Sequence, residues 1–424
     1  MILHHVTRHH ARPCRAWARR LTLALLMTLT AAVSAAPSSV WISSWMASPQ
    51  PVWQEDFAFP TKIPAVLHEQ TIRQVVQLSL GGARIRIVLS NEYGNKPVRI
   101  GGAHIALSAG QSAIVGGTGR TVTFNGKDSA LIPPGAPLIS DPIDLPVDSL
   151  SSVAVSVFLP DETPANTFHW DGRQTAYLVP GDQIAAPRLQ GGTTTDARIF
   201  LSSIQVQAHS GAKAIVVIGD SITDGNGATV DANTRWPDFL AKRLAPRNVA
   251  VLNAGISGAR LLGDRMGVNA LARLDRDVLS QPQAETMIVL LGINDISWPG
   301  TAFDPQGVIP SADALIAAYG QLIMRAHAKG IRVVGATLTP FEGALSGTPL
   351  SNYYQPEKEA LRQHINAWIR SSGAFDAVLD FDSLLADPLH PKRLKQEFDS
   401  GDHLHPGDRG NQAMAEAIDL DLLL

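Results

Sequence analysis

Cysteine is almost absent from this chain. Of 424 residues only Cys14 carries a thiol, and it lies in an N-terminal segment with the character of a targeting signal. Without that segment the chain has no thiol, which excludes disulfide bonds, thiol catalysis and cysteine-ligated zinc. An exported protein with a core this large does not need disulfides. Long apolar runs are also missing. The longest, residues 21–33, falls short of the roughly 20 residues that span a bilayer. Excess positive charge is lacking too. Lys and Arg total 35 against 38 Asp and Glu, so nothing marks a basic stripe for nucleic acid.

The N-terminus holds Arg8, Arg12, Arg15, Arg19 and Arg20, then the apolar run, then Ser34, Ala35 and Ala36. This is the layout of a secretory signal peptide over residues 1–35, with Val33 and Ala35 as the small residues before the cut. Arg19-Arg20 also fits a twin-arginine signal. A retained membrane anchor is the competing reading, disfavoured by run length. Losing the five arginines takes the formal charge from −3 to −8. That acidity argues against anionic lipid as well as nucleic acid. The expectation is an exported protein, periplasmic or extracellular, with no integral membrane segment. The sequence leaves its oligomeric state open.

Two textures follow. A single core rarely grows beyond about 250–300 residues, so two domains are expected. Across residues 38–208, short β-branched or alternating runs at 72–80, 83–89, 98–107, 121–124, 153–158 and 199–207 are separated by turn clusters such as Gly81-Gly82 and Pro133-Pro134-Gly135. That spacing predicts an antiparallel β-sandwich or jelly roll. The texture changes near His209-Ser210-Gly211. Over residues 212–424, apolar runs at 215–218, 249–252, 287–291, 333–338 and 377–379 alternate with helical patterns at 236–244, 270–279, 312–328, 356–370 and 410–422. Strand-helix alternation predicts a three-layer α/β domain with a flavodoxin-like parallel sheet. In such sheets reactive groups gather beyond the carboxyl ends of the strands.

Four segments sit at those ends. Gly219-Asp220-Ser221 places a serine at a strand-to-helix turn, where its hydroxyl is presented and its N–H can face an oxyanion; a plain helix N-cap is the alternative. Asn253-Ala254-Gly255-Ile256-Ser257-Gly258 offers a glycine N–H for close approach, or simply a turn. Gly292-Ile293-Asn294-Asp295 offers an amide donor, or an Asx turn. Asp402-His403-Leu404-His405 precedes the last helix, and Asp402 can hold the imidazole three residues on. His405 is preferred over His403, because adjacent side chains diverge. A metal held by Asp402, His403 and His405 is the other reading, but no further ligand motif supports it, so neither metal nor cofactor is expected.

These four blocks, in this order, resemble the SGNH/GDSL hydrolase superfamily over about residues 212–424. The first block reads Asp-Ser-Ile-Thr rather than Asp-Ser-Leu, a conservative change. The resemblance implies Ser221 as nucleophile, His405 as base and Asp402 as its orienter. It implies an oxyanion hole formed by the N–H groups of Ser221 and Gly258 and the Asn294 amide. The N-terminal stretch, opening on Trp41-Ile42-Ser43-Ser44-Trp45-Met46, is similar to a two-domain exported subgroup that pairs a β domain with the hydrolase. Members of that subgroup are often bacterial esterases, some linked to xylan or other acetylated polysaccharides.

The activity this implies is a serine carboxylic-ester hydrolase. Its expected partner is a small ester or an acetylated glycan, with a short acyl group such as acetyl. Alternatives are an acyltransferase with the same triad, a lipase- or lysophospholipase-type esterase, or a glycan-binding protein with a vestigial second domain. Arg260, Trp298, Phe341 and Glu342 follow strand ends and are expected to line the pocket, unless they only shape loops. Trp41 and Trp45 either stack on sugars or are buried.

Overall fold

The computed structural model describes residues 39–53 and 57–424. The signal peptide expected at 1–35 lies outside the described residues. From Ser39 to His209 the pairing is antiparallel. One sheet orders Ser39–Met46, Leu201–His209, Ile85–Ser90 and Pro137–Ile139 side by side. A second runs Thr193–Thr195, Ala176–Pro180, Gln70–Gln77, Ser152–Leu159, Gly102–Leu107 and Arg120–Val122. Alternation explains both. Ile85, Ile87 and Leu89 of the first sheet and Val153, Val155 and Val157 of the second enter one apolar cluster.

At Lys213 the pairing turns parallel. Five strands lie in the order Val249–Gly255, Lys213–Gly219, Ala284–Leu290, Arg332–Ala336 and Ala377–Leu379. Lys213–Gly219 has a neighbour on each side, so the strand order reverses at its carboxyl end. Its side chains alternate between two cores. Ile215 and Val217 pack with Trp236 and Leu240 of helix Trp236–Leu244 and with Met414 of helix Asp408–Glu416. Val216 and Ile218 pack on the other face with Leu315 and Leu322 of helix Ala312–His327 and Ile365 of helix Pro356–Ser371. Helices thus cover both faces, and the apolar runs have no polar side because neither face meets water.

The apolar cluster on that second face is continuous with the core of the antiparallel sheets. Ile42, Ile87, Val155, Val216 and Leu252 belong to it together.

Two helices differ from the sequence pattern. The stretch 270–279 is helix Ala270–Leu274 followed by a wider π turn, Asp275–Leu279. The last helix ends at Glu416 rather than 422, because Asp419 accepts from the Asp421 N–H and starts a separate 3₁₀ turn, Leu420–Leu422.

Candidate active site

Ser221 is the first residue of the four-residue helix Ser221–Asp224, at the point where the strand order reverses. The capping role that a serine could play here belongs to its neighbour. Asp220 Oδ1 accepts from the Ile222 N–H at 3.0 Å, which leaves the Ser221 hydroxyl free of the helix. Buried Arg273 ties the strand ends together, donating to the carbonyls of Gly219 at 3.0 Å and Ala254 at 2.7 Å and pairing with Asp277 at 2.8 Å.

The loop 402–405 brings the other groups to that hydroxyl. Ser221 Oγ lies 2.8 Å from His405 Nε2, and His405 Nδ1 lies 2.6 Å from Asp402 Oδ2. The second oxygen of Asp402 accepts the Leu404 N–H at 3.0 Å and the His405 N–H at 2.8 Å, which fixes the carboxylate on its own turn. Burial would raise the Asp402 pKa, but the hydrogen bonds and charge of His405 and these N–H groups hold it well below the usual carboxylate range. His403 turns outward to Asp399 at 2.5 Å, with a left-handed backbone at φ 62°. Asp402, His403 and His405 therefore do not converge. Among the described residues no three His, Cys, Asp or Glu side chains gather as a metal site.

Gly258 and Asn294 face the same cleft. Gly258 has φ 78°, and a Cβ there would come within 2.4 Å of Met266 Sδ and 2.9 Å of the Trp298 ring, so only glycine fits. Asn294 is held from three sides. Its Nδ2 donates to the Ala259 carbonyl at 3.0 Å, while its Oδ1 accepts from Trp298 Nε1 at 2.9 Å and the Tyr353 hydroxyl at 2.8 Å. With Oδ1 taken twice, the remaining N–H of the amide is the group left to serve a ligand. Asp295 fixes the loop beyond Gly258, accepting the N–H groups of Leu261 at 2.8 Å and Leu262 at 2.9 Å. Burial pushes Asp295 up to about 6 and Asp220 up to about 7. Asp220 Oδ2 is buried without a partner.

The cleft over Ser221 has a volume of about 190 Å³ and is lined mostly by apolar groups. Phe59 and Trp170, from the antiparallel part of the chain, stack at 5.6 Å with nearly parallel rings and form one wall. Phe303, Leu345, Leu350 and Tyr353 complete it. Sequence reasoning missed all six, because each comes from a loop far from the four motifs. The Trp-rich opening hinted at an aromatic contribution from the antiparallel part of the chain, but its two tryptophans lie elsewhere. Trp45 is buried in the core, and Trp41 lies under the Arg86 guanidinium at 4.3 Å.

The four residues expected to line the pocket do not line it. Arg260 pairs with Asp304 at 3.1 Å and covers the outer face of Trp298 at 4.6 Å. Trp298 is buried behind the cleft, bonded to Asn294 and packed against Gly258. Phe341 is fully buried, edge-on to Tyr353 and Tyr354. Glu342 turns away to Arg393 at 2.9 Å. Their loops leave the strand ends in the expected direction, but the larger rings were drawn into the core and the charges into ion pairs.

Residues 217–413 match the model of the GDSL-like Lipase/Acylhydrolase family. No curated protein sequence matches the chain. Among solved structures, an aryl esterase of M. smegmatis is 17% identical in its inhibitor-bound form, with 50% of this chain and 100% of that one covered and a TM-score of 0.40. A GDSL-like lipase of Bacteroides thetaiotaomicron is 18% identical over 50% of this chain and 88% of that one, TM-score 0.37. The acetyl xylan esterase AlAXEase is 19% identical over 48% of this chain and 96% of that one, TM-score 0.36. These likenesses are distant and cover about half of this chain.

Proposed function

We propose, for a carboxylic ester hydrolase whose residues 217–413 match the GDSL-like lipase/acylhydrolase family, that Ser221 is the nucleophile, His405 the general base and Asp402 its orienter. The observation that carries this reading is the unbroken relay from Ser221 Oγ through both nitrogens of His405 to Asp402. Ser221 Oγ attacks the ester carbonyl as its proton passes to His405 Nε2. Charge on the tetrahedral oxygen is met by the N–H groups of Ser221 and Gly258 and the free N–H of Asn294. The C–O bond breaks, His405 returns the proton to the departing alcohol, and water repeats the steps to release the acid. Asp402 stays ionised throughout, as its low pKa requires, and stabilises the imidazolium.

The substrate of this reading is an ester of a short acyl group, acetyl above all, on a sugar or polysaccharide. A cleft of about 190 Å³ falls below the roughly 300 Å³ at which sites for larger ligands begin. Leu345 and Leu350 take the acyl methyl, and the aromatic wall of Phe59 and Trp170 takes the alcohol. Residues 38–208 are read as a β-sandwich domain and 212–424 as the hydrolase domain, supported by the two antiparallel sheets and their common core. Export is supported by the basic and apolar pattern of residues 8–33. Ser221→Ala should abolish hydrolysis of p-nitrophenyl acetate while the circular dichroism spectrum stays unchanged. Wild-type turnover in that variant overturns the assignment. A chain-length series of p-nitrophenyl esters, with acetate release from acetylated xylan alongside, tests the substrate: preference for eight or more carbons rules out acetyl.

A further inference from the structure

His169 is buried in the antiparallel part of the chain, on strand Thr167–His169. Its Nδ1 lies 3.0 Å from the Ser48 carbonyl and its Nε2 lies 2.9 Å from Asp224 Oδ1. A carbonyl can only accept. Asp224 is placed as an ionised acceptor, because its other oxygen already takes the Ser257 N–H at 2.7 Å and the Ser257 hydroxyl at 2.9 Å. With acceptors at both ring nitrogens, the imidazole must donate from both, so it is an imidazolium. Asp224 closes the helix that Ser221 opens, and Ser257 is the residue before Gly258.

We propose that His169 is a positioning residue for the oxyanion hole: its charge holds Asp224, Asp224 holds the Ser257 N–H and hydroxyl, and Ser257 sets the Gly258 N–H against Ser221. This rests on the assignment of Ser221 and Gly258 given above. It gives the antiparallel part of the chain a task in turnover besides its cleft wall.

The surroundings make the charge necessary. Asp171 is buried beside the same groups, with its Oδ2 3.2 Å from Asn226 Nδ2 and 3.4 Å from Ser257 Oγ. Its pKa is pushed up by burial and by the charge of Asp224. Arg173 stands 3.7 Å from Asp171, Arg235 is close enough to act on both carboxylates, and the Lys62–Asp196 pair lies farther out. None of these cations touches Asp224 at hydrogen-bond distance; His169 does. Burial lowers the His169 pKa, but the charge and hydrogen bond of Asp224 outweigh it and the net shift is upward. The imidazolium is therefore held to higher pH than that of a free histidine and is lost as pH rises through that raised value.

The test compares full-length wild type, His169→Gln, Ser257→Ala and Ser221→Ala with p-nitrophenyl acetate over a pH series. Wild type should show an alkaline limb from His169. His169→Gln should lose about 10- to 100-fold in kcat, with KM within about twofold, and its alkaline limb should vanish. Ser257→Ala should lower kcat in the same way while keeping the alkaline limb, which covers the case that His169→Gln does not fold. Wild-type kcat in both variants, or an alkaline limb unchanged in His169→Gln, overturns the proposal, as does a wild-type profile with no alkaline limb. Activity in Ser221→Ala would instead remove the nucleophile assignment on which the proposal stands.

Discussion

The indole N–H of Trp298 and the amide of Asn294 are joined at 2.9 Å, and the bond decides which end of the amide faces the cleft. Tyr353 adds a second donor to the same oxygen at 2.8 Å. Asn294→Ala should therefore lower kcat by about 100- to 1,000-fold on p-nitrophenyl acetate, the typical cost of one oxyanion donor. Tyr353→Phe removes one of two constraints on the amide and should cost less, about tenfold, without a change in KM. Equal losses in the two variants would show that Tyr353 does more than orient Asn294.

Asp220 predicts a stability slope. Its carboxyl is raised to about 7 by burial, against about 4 in the unfolded chain. Between those values the folded protein binds the extra proton, so stability falls as pH rises from about 4 to 7. The full contribution is on the order of 3–4 kcal/mol, shared in direction by Asp295 with its value of about 6. Asp220→Asn keeps the shape of the side chain and should flatten the dependence of melting temperature on pH across that window. A slope as steep as wild type would place the titration elsewhere.

Leu350 tests the size of the acyl side. It is buried yet lines the cleft. Leu350→Ala should raise the ratio of kcat/KM for p-nitrophenyl butyrate over acetate by about tenfold, since each added methylene can gain about 0.8 kcal/mol in an apolar site that admits it. An unmoved ratio would assign the acyl group to another wall.

The reactive groups were legible because each motif is local. Asp402 and His405 share one turn, and Ser221 and Asn294 each follow a buried strand whose apolar run announces it. The wall was not. Phe59, Trp170 and Leu350 reach the cleft from loops whose paths depend on tertiary packing, and no periodic pattern marks such loops. Arg260 and Glu342 sat at the right strand ends but found opposite charges nearby, and an ion pair outside the cleft won over exposure within it. The parallel sheet could be expected from alternating strands and helices, while its strand order could not, because either neighbour of Lys213–Gly219 satisfies the same apolar pattern.

The apolar cluster that runs from Ile42 through Val155 to Val216 and Leu252 has a consequence for how the protein can be divided. The Val251 N–H donates to Ser79 Oγ at 3.2 Å, and Ser43 Oγ donates to Gln281 at 2.9 Å, so polar contacts cross the same seam. A chain begun at residue 212 would keep Ser221, Asn294, Asp402 and His405 but present the bare side of strand Val249–Gly255 to water. The four motifs are thus a sufficient signature and an insufficient fragment: the smallest piece of this protein able to hold its own chemistry in place includes the strands that carry none of it.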